Sequence, residues 1–395
     1  MEIMKSKAKV KRKFISLSSP SISGNEWKYV KECLDTEWVS SAGKYVNLFE
    51  EKISKYTGSK YAIACVNGTS ALHIALMTLG VTSNHEVIVP TITFIAPINA
   101  VRYCKAEPIF MDVDNNFCID EVKTINFINN ETIFKNGNTY NKLNGKKISA
   151  IIVTHLFGRS MLLDKVVKLC KKKNIKILED ASESLGNFFL NGKYKGKHTG
   201  TIGDVGCLSF NGNKIITAGG GGMILTNNKE IYKRSLYLTT QAKDDGELFI
   251  HNEIGYNYRL SNVHAAIGLA QLENLNKVLS KKKKIYELYK KKLKNNSCAK
   301  LLEITKSATS NYWLNIVSMN KKYTENEMKK LVRKFAKEQI EVRPVWKLNH
   351  LQKEFKKNQK YLISNASKIV RSSVCLPSNL KLNENDINRV IQLLT

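Results

Sequence analysis

The sequence predicts a two-domain α/β protein whose first domain is built on a mostly parallel sheet with helices on both faces. Three observations carry this expectation. The chain has 395 residues, too many for one typical domain and enough for two well-buried cores. Short apolar runs alternate with stretches of helical period, which is the pattern of βαβ units. Several of the runs, EVIVP at 86–90 and NIKILED at 174–180 among them, read as short strands buried on both faces, the second ending in two carboxylates.

Residues 1–13 are basic but lack the apolar centre of a secretory leader, and 1–14 read as an extension ahead of the first domain. Stretches 24–34 and 45–56 read as helices. KYAIACVNGTSALHIAL, 60–76, reads as strand, tight turn and helix, with Leu72, Leu76 and Leu79 at helical spacing. Gly68, Thr69 and Ser70 open that helix, where free N–H groups and the helix dipole favour a phosphate. The same three residues also make an ordinary helix start. EVIVP is followed by TITFIAPINAV, which carries Phe94; PIFMDV at 108–113 and ISAIIVTHLFG at 148–158 continue the alternation. Between the last two, 136–147 is polar and reads as a surface hairpin or loop. His155, at a strand end, reads as a packed core residue.

NIKILED ends on Asp180, at the carboxyl end of a strand, where open α/β sheets bind ligands. Asp180 could equally cap a following helix. Next comes SFNGNKIITAGGGG, 209–222, in which Lys214 stands in a loop beside four glycines. An amine in such a place suits Schiff-base formation with an aldehyde cofactor once burial or a cationic neighbour frees its lone pair. Pyridoxal phosphate needs in addition a carboxylate at its ring nitrogen, for which Asp180 is placed, and a phosphate site, for which Ser209 and Gly68–Ser70 are placed. Taken alone, Lys214 is one of 63 Lys plus Arg; the three strand ends together carry the inference.

IGYNYRLSNVHAA, 254–266, leads into a long helix capped by Ser261 or Asn262 and running to about residue 295. Residues 311–319 read as a strand, 325–340 as an amphipathic helix, 341–346 as extended and 386–394 as a closing helix. The domains are thus expected at 15–265 and 266–395.

The formal charge of +29 would suit nucleic acid or an anionic membrane, but the lysines are scattered and no binding stripe forms. The eight cysteines include no CxxC pair, so no zinc site or disulfide framework is expected, and no apolar run approaches a membrane span. A cytoplasmic enzyme with neither a nucleic-acid nor a membrane partner, and no metal, is the expectation.

SFNGNKIITAGGGG, EDASES, NGTSALHIAL, VIVPTITFIAPINAV and IGYNYRLSNVHAAIGLAQLE together resemble the DegT/DnrJ/EryC1/StrS aminotransferases, from near Ile15 to the C-terminus. SISGNEWKYVKECLDTEWVSSAGKYV, the NGNK form of the lysine motif and RPVWKLNHLQ are most similar to the LegC group, enzymes of legionaminic acid and bacillosamine-type sugar synthesis. The resemblance implies the aspartate-aminotransferase-like fold type I, with a mixed, mainly parallel sheet and a smaller C-terminal α/β domain. It implies pyridoxal 5'-phosphate joined to Lys214, with Asp180 at the ring nitrogen and Phe94 stacked on the ring. Glu183 stands where relatives carry glutamine or histidine facing the phenolic oxygen; its charge would repel a phenolate unless protonated or balanced. Asn257 would reach the cofactor phosphate of a second subunit, making a homodimer, and Arg259, Arg343 and His350 would border the substrate. The implied reaction moves an amino group from L-glutamate to the C4 ketone of a UDP- or GDP-linked 4-keto-6-deoxy-N-acetylhexosamine. Two alternatives stay open: a sugar dehydratase of the same fold, a branch that carries histidine in place of the lysine, and a non-catalytic basic regulatory or nucleic-acid-binding protein.

Overall fold

A computed structural model of the protein describes residues 13–394, so most of the basic extension, residues 1–12, lies outside the described residues. Two helices, α1 (Glu26–Asp35) and α2 (Lys44–Thr57), precede the first strand. The strands that follow are β1 (Tyr61–Cys65), β2 (His85–Pro90), β3 (Glu107–Met111), β4 (Thr132–Lys135), β5 (Asn138–Asn141), β6 (Lys147–Thr154), β7 (Lys176–Asp180), β8 (Val205–Ser209) and β9 (Gly222–Thr226). The C-terminal part adds β10 (Ala299–Leu301), β11 (Asn315–Met319), β12 (Arg343–Pro344), β13 (Lys360–Tyr361) and β14 (Ser373–Leu376).

The large sheet has ten strands with the main order β1-β9-β8-β7-β6-β2-β3-β13. From β8 to β13 every neighbour on this path is parallel, whereas β9 runs antiparallel to both β1 and β8. The mixed, mainly parallel sheet of the sequence reading is therefore what the chain builds. The strands that read as buried are indeed covered on both faces: Ile88, Ile109, Ile151 and Val153 are fully buried on one side, Val87, Val89, Ile152 and Leu178 on the other. Each such side chain stabilises the fold by about 1.5–3 kcal/mol.

A second sheet, ordered β10-β11-β14-β12, packs against the helix Leu275–Leu293 and the helices Glu325–Lys337 and Glu384–Gln392 through a core that includes Phe335, Val374 and Val390. Two strips of chain tie the sheets together. Strand β13, from the C-terminal part, adds itself to the edge of the large sheet beside β3, and Ile15 pairs with Ile340.

The long helix expected from Ser261 to about residue 295 is two helices, Asn262–Glu273 and Leu275–Leu293. Asn274 separates them, donating its side-chain amide to the Ala270 carbonyl at 3.3 Å. Ser261 is the cap, accepting the His264 N–H.

Within β7, Glu179 is fully buried beside His155, 2.9 Å away, and accepts N–H groups from Gly200, Ile202 and Gly203 at 2.9, 2.6 and 2.7 Å. Burial alone would push this carboxyl up; His155 and the amides outweigh it and hold the pKa below its usual value. The stability it contributes is therefore present above the ordinary carboxylate range and is lost as pH falls through the lowered value. Glu179→Ala should cost about 3–5 kcal/mol in urea unfolding, since it strands an imidazole and three amides; a loss below about 1 kcal/mol would remove this account.

Candidate active site

The C-terminal ends of the parallel strands bring the candidate residues together. Asp180 ends β7, set between Thr154 of β6 and Cys207 of β8. It is 8% exposed, and no helix follows it; its Oδ1 instead accepts the Ser182 N–H at 3.1 Å in a turn. One strand over, β8 ends on Ser209, and the loop that follows carries Lys214.

Lys214 is mostly buried. Its Nζ donates to Glu183 Oε1 at 3.1 Å and lies 4.4 Å from the centre of the Trp313 ring. The other Glu183 oxygen accepts the Phe157 N–H at 2.9 Å, an amide aimed by a left-handed backbone at Phe157, φ 56° and ψ 26°. Burial pushes the Glu183 carboxyl up, with the Lys214 ammonium opposing. The balancing neighbour that the sequence reading required for Glu183 is thus Lys214 itself. Trp313 is fixed in turn: its indole N–H donates to Asn213 O at 2.6 Å, and its own carbonyl accepts from Lys282 Nζ at 3.1 Å. Lys282 is a fully buried lysine that also donates to Ser378 O at 2.6 Å, and burial brings its pKa down to about 7.

The helix α3 (Gly68–Thr78) opens toward the same place. Asn67 caps it, taking the Ser70 N–H at 2.8 Å, so that amide is committed to the cap. Gly68 has no room for a side chain: a Cβ there would lie 3.0 Å from Ser209 Cβ and 3.6 Å from Ser182 Oγ. Two hydroxyls and a helix N-terminus therefore converge, which is the donor set a phosphate takes. The glycine run has a local reason as well. A Cβ on Gly222 would lie 2.4 Å from Asn67 O, so the start of β9 passes directly against the cap. Gly68→Val should fill the convergence and weaken cofactor binding by roughly 10- to 100-fold, the loss of one charge-assisted contact, in an absorbance titration; unchanged affinity would place the phosphate elsewhere.

A row of aromatic rings runs outward from Lys214. Trp313 is stacked with Phe157 at 6.3 Å, Phe157 with Trp346 at 4.8 Å, and Phe94 meets Trp346 edge-on at 5.8 Å. Phe157, Trp313, Trp346, Asn213 and Arg343 line a cavity of about 590 Å³. A larger groove of about 690 Å³ lies on the other side of Pro344 and Val345, walled by Met328, Val332 and Val370, and carries no residue of this constellation.

The remaining expected site residues divide. Phe94, 54% exposed, and Asn257, exposed and bridged only to Thr240, face outward. Arg343 reaches the cavity wall with its guanidinium 2.7 Å from Glu341. Two others are engaged within the chain. Arg259 is 2.5 Å from Glu50 and donates to Ala64 O, held against β1. His350 is buried, bonded through Nδ1 to Thr91 Oγ1 at 2.7 Å, and burial lowers its pKa. With Asn349, which donates to Thr91 O and Thr93 O, it staples the loop that presents Phe94. Sequence reasoning missed Trp313, Trp346, Ser182 and the cap Asn67. NYWLNIVSM reads as a strand, in which an aromatic counts as core, and Ser182 in the turn after Asp180 reads as an ordinary turn residue.

Among the described residues, no group of three or more His, Cys, Asp or Glu could hold a metal, and no helix is long and apolar enough to cross a membrane.

Known proteins are similar to this chain in sequence and fold. GDP-perosamine synthase of Escherichia coli O157:H7 is 40% identical over 334 residues, 85% of each chain. The UDP-4-amino-4,6-dideoxy-N-acetyl-beta-L-altrosamine transaminase of Campylobacter jejuni subsp. jejuni serotype O:23/36 (strain 81-176) is 33% identical over 75% of each chain. Among solved structures, a DegT DnrJ EryC1 StrS aminotransferase from Brucella abortus superposes with a TM-score of 0.83 over 94% of each chain at 25% identity. The profile of the DegT/DnrJ/EryC1/StrS aminotransferase family matches residues 20–395, and the chain belongs to that family of pyridoxal-phosphate-dependent aminotransferases.

Proposed function

We propose that the protein transfers the amino group of L-glutamate to the C4 ketone of a nucleotide-linked 4-keto-6-deoxy-N-acetylhexosamine, UDP- or GDP-borne. The observation that carries the reading is a lysine amine held in a mostly buried loop, 3.1 Å from one buried carboxylate, with a second buried carboxylate at the neighbouring strand end. The residues present fit pyridoxal phosphate: Ser209, Ser182 and the α3 N-terminus would hold its phosphate, Asp180 its ring nitrogen, and Phe94 or a neighbouring ring its face. When bound, that cofactor supplies an electron sink for the carbon that loses or gains the amine. Lys214 moves the proton at the donor's α-carbon, and Asp180 holds the ring-nitrogen proton throughout. Two relatives support the substrate class. One is named for a GDP-linked product, the other for a UDP-linked 4-amino-4,6-dideoxy sugar. The LegC-like motifs favour the N-acetylated sugar of legionaminic acid or bacillosamine-type synthesis. Exposed Asn257 and Phe94 suit a homodimer in which Asn257 reaches the partner's phosphate. The retained Lys214 speaks against the dehydratase alternative.

The test is the visible spectrum of the loaded enzyme. A band that bleaches with L-glutamate and returns with the UDP-linked 4-keto-6-deoxy-N-acetylhexosamine supports the reading. Recovery only with the GDP-linked keto-sugar moves the substrate to GDP, and no band after adding pyridoxal phosphate rejects the proposal.

A further inference from the structure

We propose that Glu183 is a catalytic residue of this site, the carboxylate that takes the proton from Lys214 Nζ when the lysine acts and gives it back afterwards. The inference rests on Lys214 being the cofactor lysine and goes beyond a contact between Glu183 and the cofactor. Three features of the geometry carry it. First, the carboxylate and the amine are in direct contact at 3.1 Å, so the proton needs no intervening water. Second, the two carboxylate oxygens have separate duties. Oε2 is occupied by the Phe157 N–H at 2.9 Å, which leaves Oε1, the oxygen facing Lys214, as the one that receives the proton. Third, the backbone around Glu183 is clamped: Asn311 donates to Glu183 O at 2.9 Å and to Leu185 O at 3.0 Å. The donor Phe157 is itself locked between Trp313 and Trp346.

The exchange balances within the pair. An ammonium and a carboxylate become an amine and a carboxylic acid, the electron pair of the broken N–H bond stays on Nζ, and the reverse step restores both charges. The charged and titratable groups facing Glu183 are few: Lys214, the Asp180 carboxylate and the Cys375 thiol. Asp180 disfavours a second negative charge nearby and Cys375 contributes no cation, so the Lys214 ammonium and the Phe157 N–H are the groups that favour the Glu183 carboxylate. Burial and Asp180 both raise the carboxyl's pKa, which brings the two proton-holding forms closer in energy. A glutamine at this position could accept the Phe157 N–H and could not take the proton.

The test uses Glu183→Gln, with Glu183→Leu, which likewise cannot take a proton, as a second variant should the first fail to fold, and two independent readouts. In the cofactor-free protein, Lys214 is labelled at neutral pH with acetic anhydride and quantified by peptide mass spectrometry. Removing the oxygen that engages Nζ at 3.1 Å should free the amine and speed labelling by about 10-fold or more, the worth of one charge-assisted hydrogen bond. In the loaded enzyme, kcat for the glutamate half-reaction should fall by about 100-fold or more. A lysine that is more reactive and yet turns over more slowly is the expected signature, and a purely structural residue would not produce it. Labelling at the wild-type rate, or turnover at the wild-type rate, in a folded variant overturns the proposal. Failure of the functional reading is seen separately, as a wild-type protein that shows no visible band on adding pyridoxal phosphate.

Discussion

Lys214→Ala should abolish amino transfer, by roughly 10⁴-fold or more in kcat, because one substitution removes both the amine that holds the cofactor and the base that moves the proton. The visible band of the loaded enzyme should vanish with it, and substantial residual transamination would sink the assignment. The variant should also be less stable. Glu183 loses its cationic partner, Lys214, in a buried position, at a cost of up to about 3–5 kcal/mol at neutral pH. That cost has a defined pH dependence. The folded carboxyl already sits above its usual pKa, so the native state binds the proton more readily than the unfolded chain does. The alanine variant should therefore regain stability as pH is lowered into that raised range. Lys214→Arg separates the two effects: the guanidinium can pair with Glu183 but stays protonated. It should restore much of the unfolding free energy and none of the activity.

Asp180→Ala should be nearly as severe. The carboxylate sits at a strand end with both neighbouring strands in register beside it, and among the described residues it accepts one hydrogen bond, from the Ser182 N–H. One oxygen therefore remains for a protonated ring nitrogen. Deleting a buried partner of this kind costs about 3–5 kcal/mol, or roughly 10² to 10³·⁵ in rate and cofactor affinity combined. Asp180→Asn should retain the Ser182 turn and a measurable affinity but lose most of the rate, since an amide cannot hold a positive ring. Near-normal turnover in the asparagine variant would show that the ring-nitrogen contact lies elsewhere.

The parts of this site that could be read from sequence are those whose chemistry is anomalous where they stand. A lysine beside four glycines and an aspartate closing an apolar strand are out of place unless something binds there, and the structure puts them on adjacent strand ends. The helix at Gly68 was equally plain, because its cap and periodicity are local. What sequence reasoning could not supply were partners distant along the chain. Arg259 and His350 looked available only because Glu50 and Thr91, the groups that occupy them, are separated from them by 209 and 259 positions. Trp313 looked like core because a ring under an ammonium and a ring among aliphatics have the same local sequence. Strand β9 was hidden behind the glycines that let it start against Asn67, and β13, at two residues, is too short to show a period.

The clamp on Trp313 also fixes when the site can exist. Trp313 O is gripped by Lys282, whose other anchor is Ser378, and the edge of the large sheet is closed by residues 360–361. A ribosome delivers the strands that carry Asp180 and Lys214 long before it delivers these, and N-terminal units begin folding as they emerge. The nascent protein thus passes through a stage with its reactive lysine in place and the indole beneath it unsecured. Chains cut after residue 350 should fold their central strands yet fail to develop the visible band with pyridoxal phosphate. On this account, competence to take up the aldehyde comes only with a finished polypeptide.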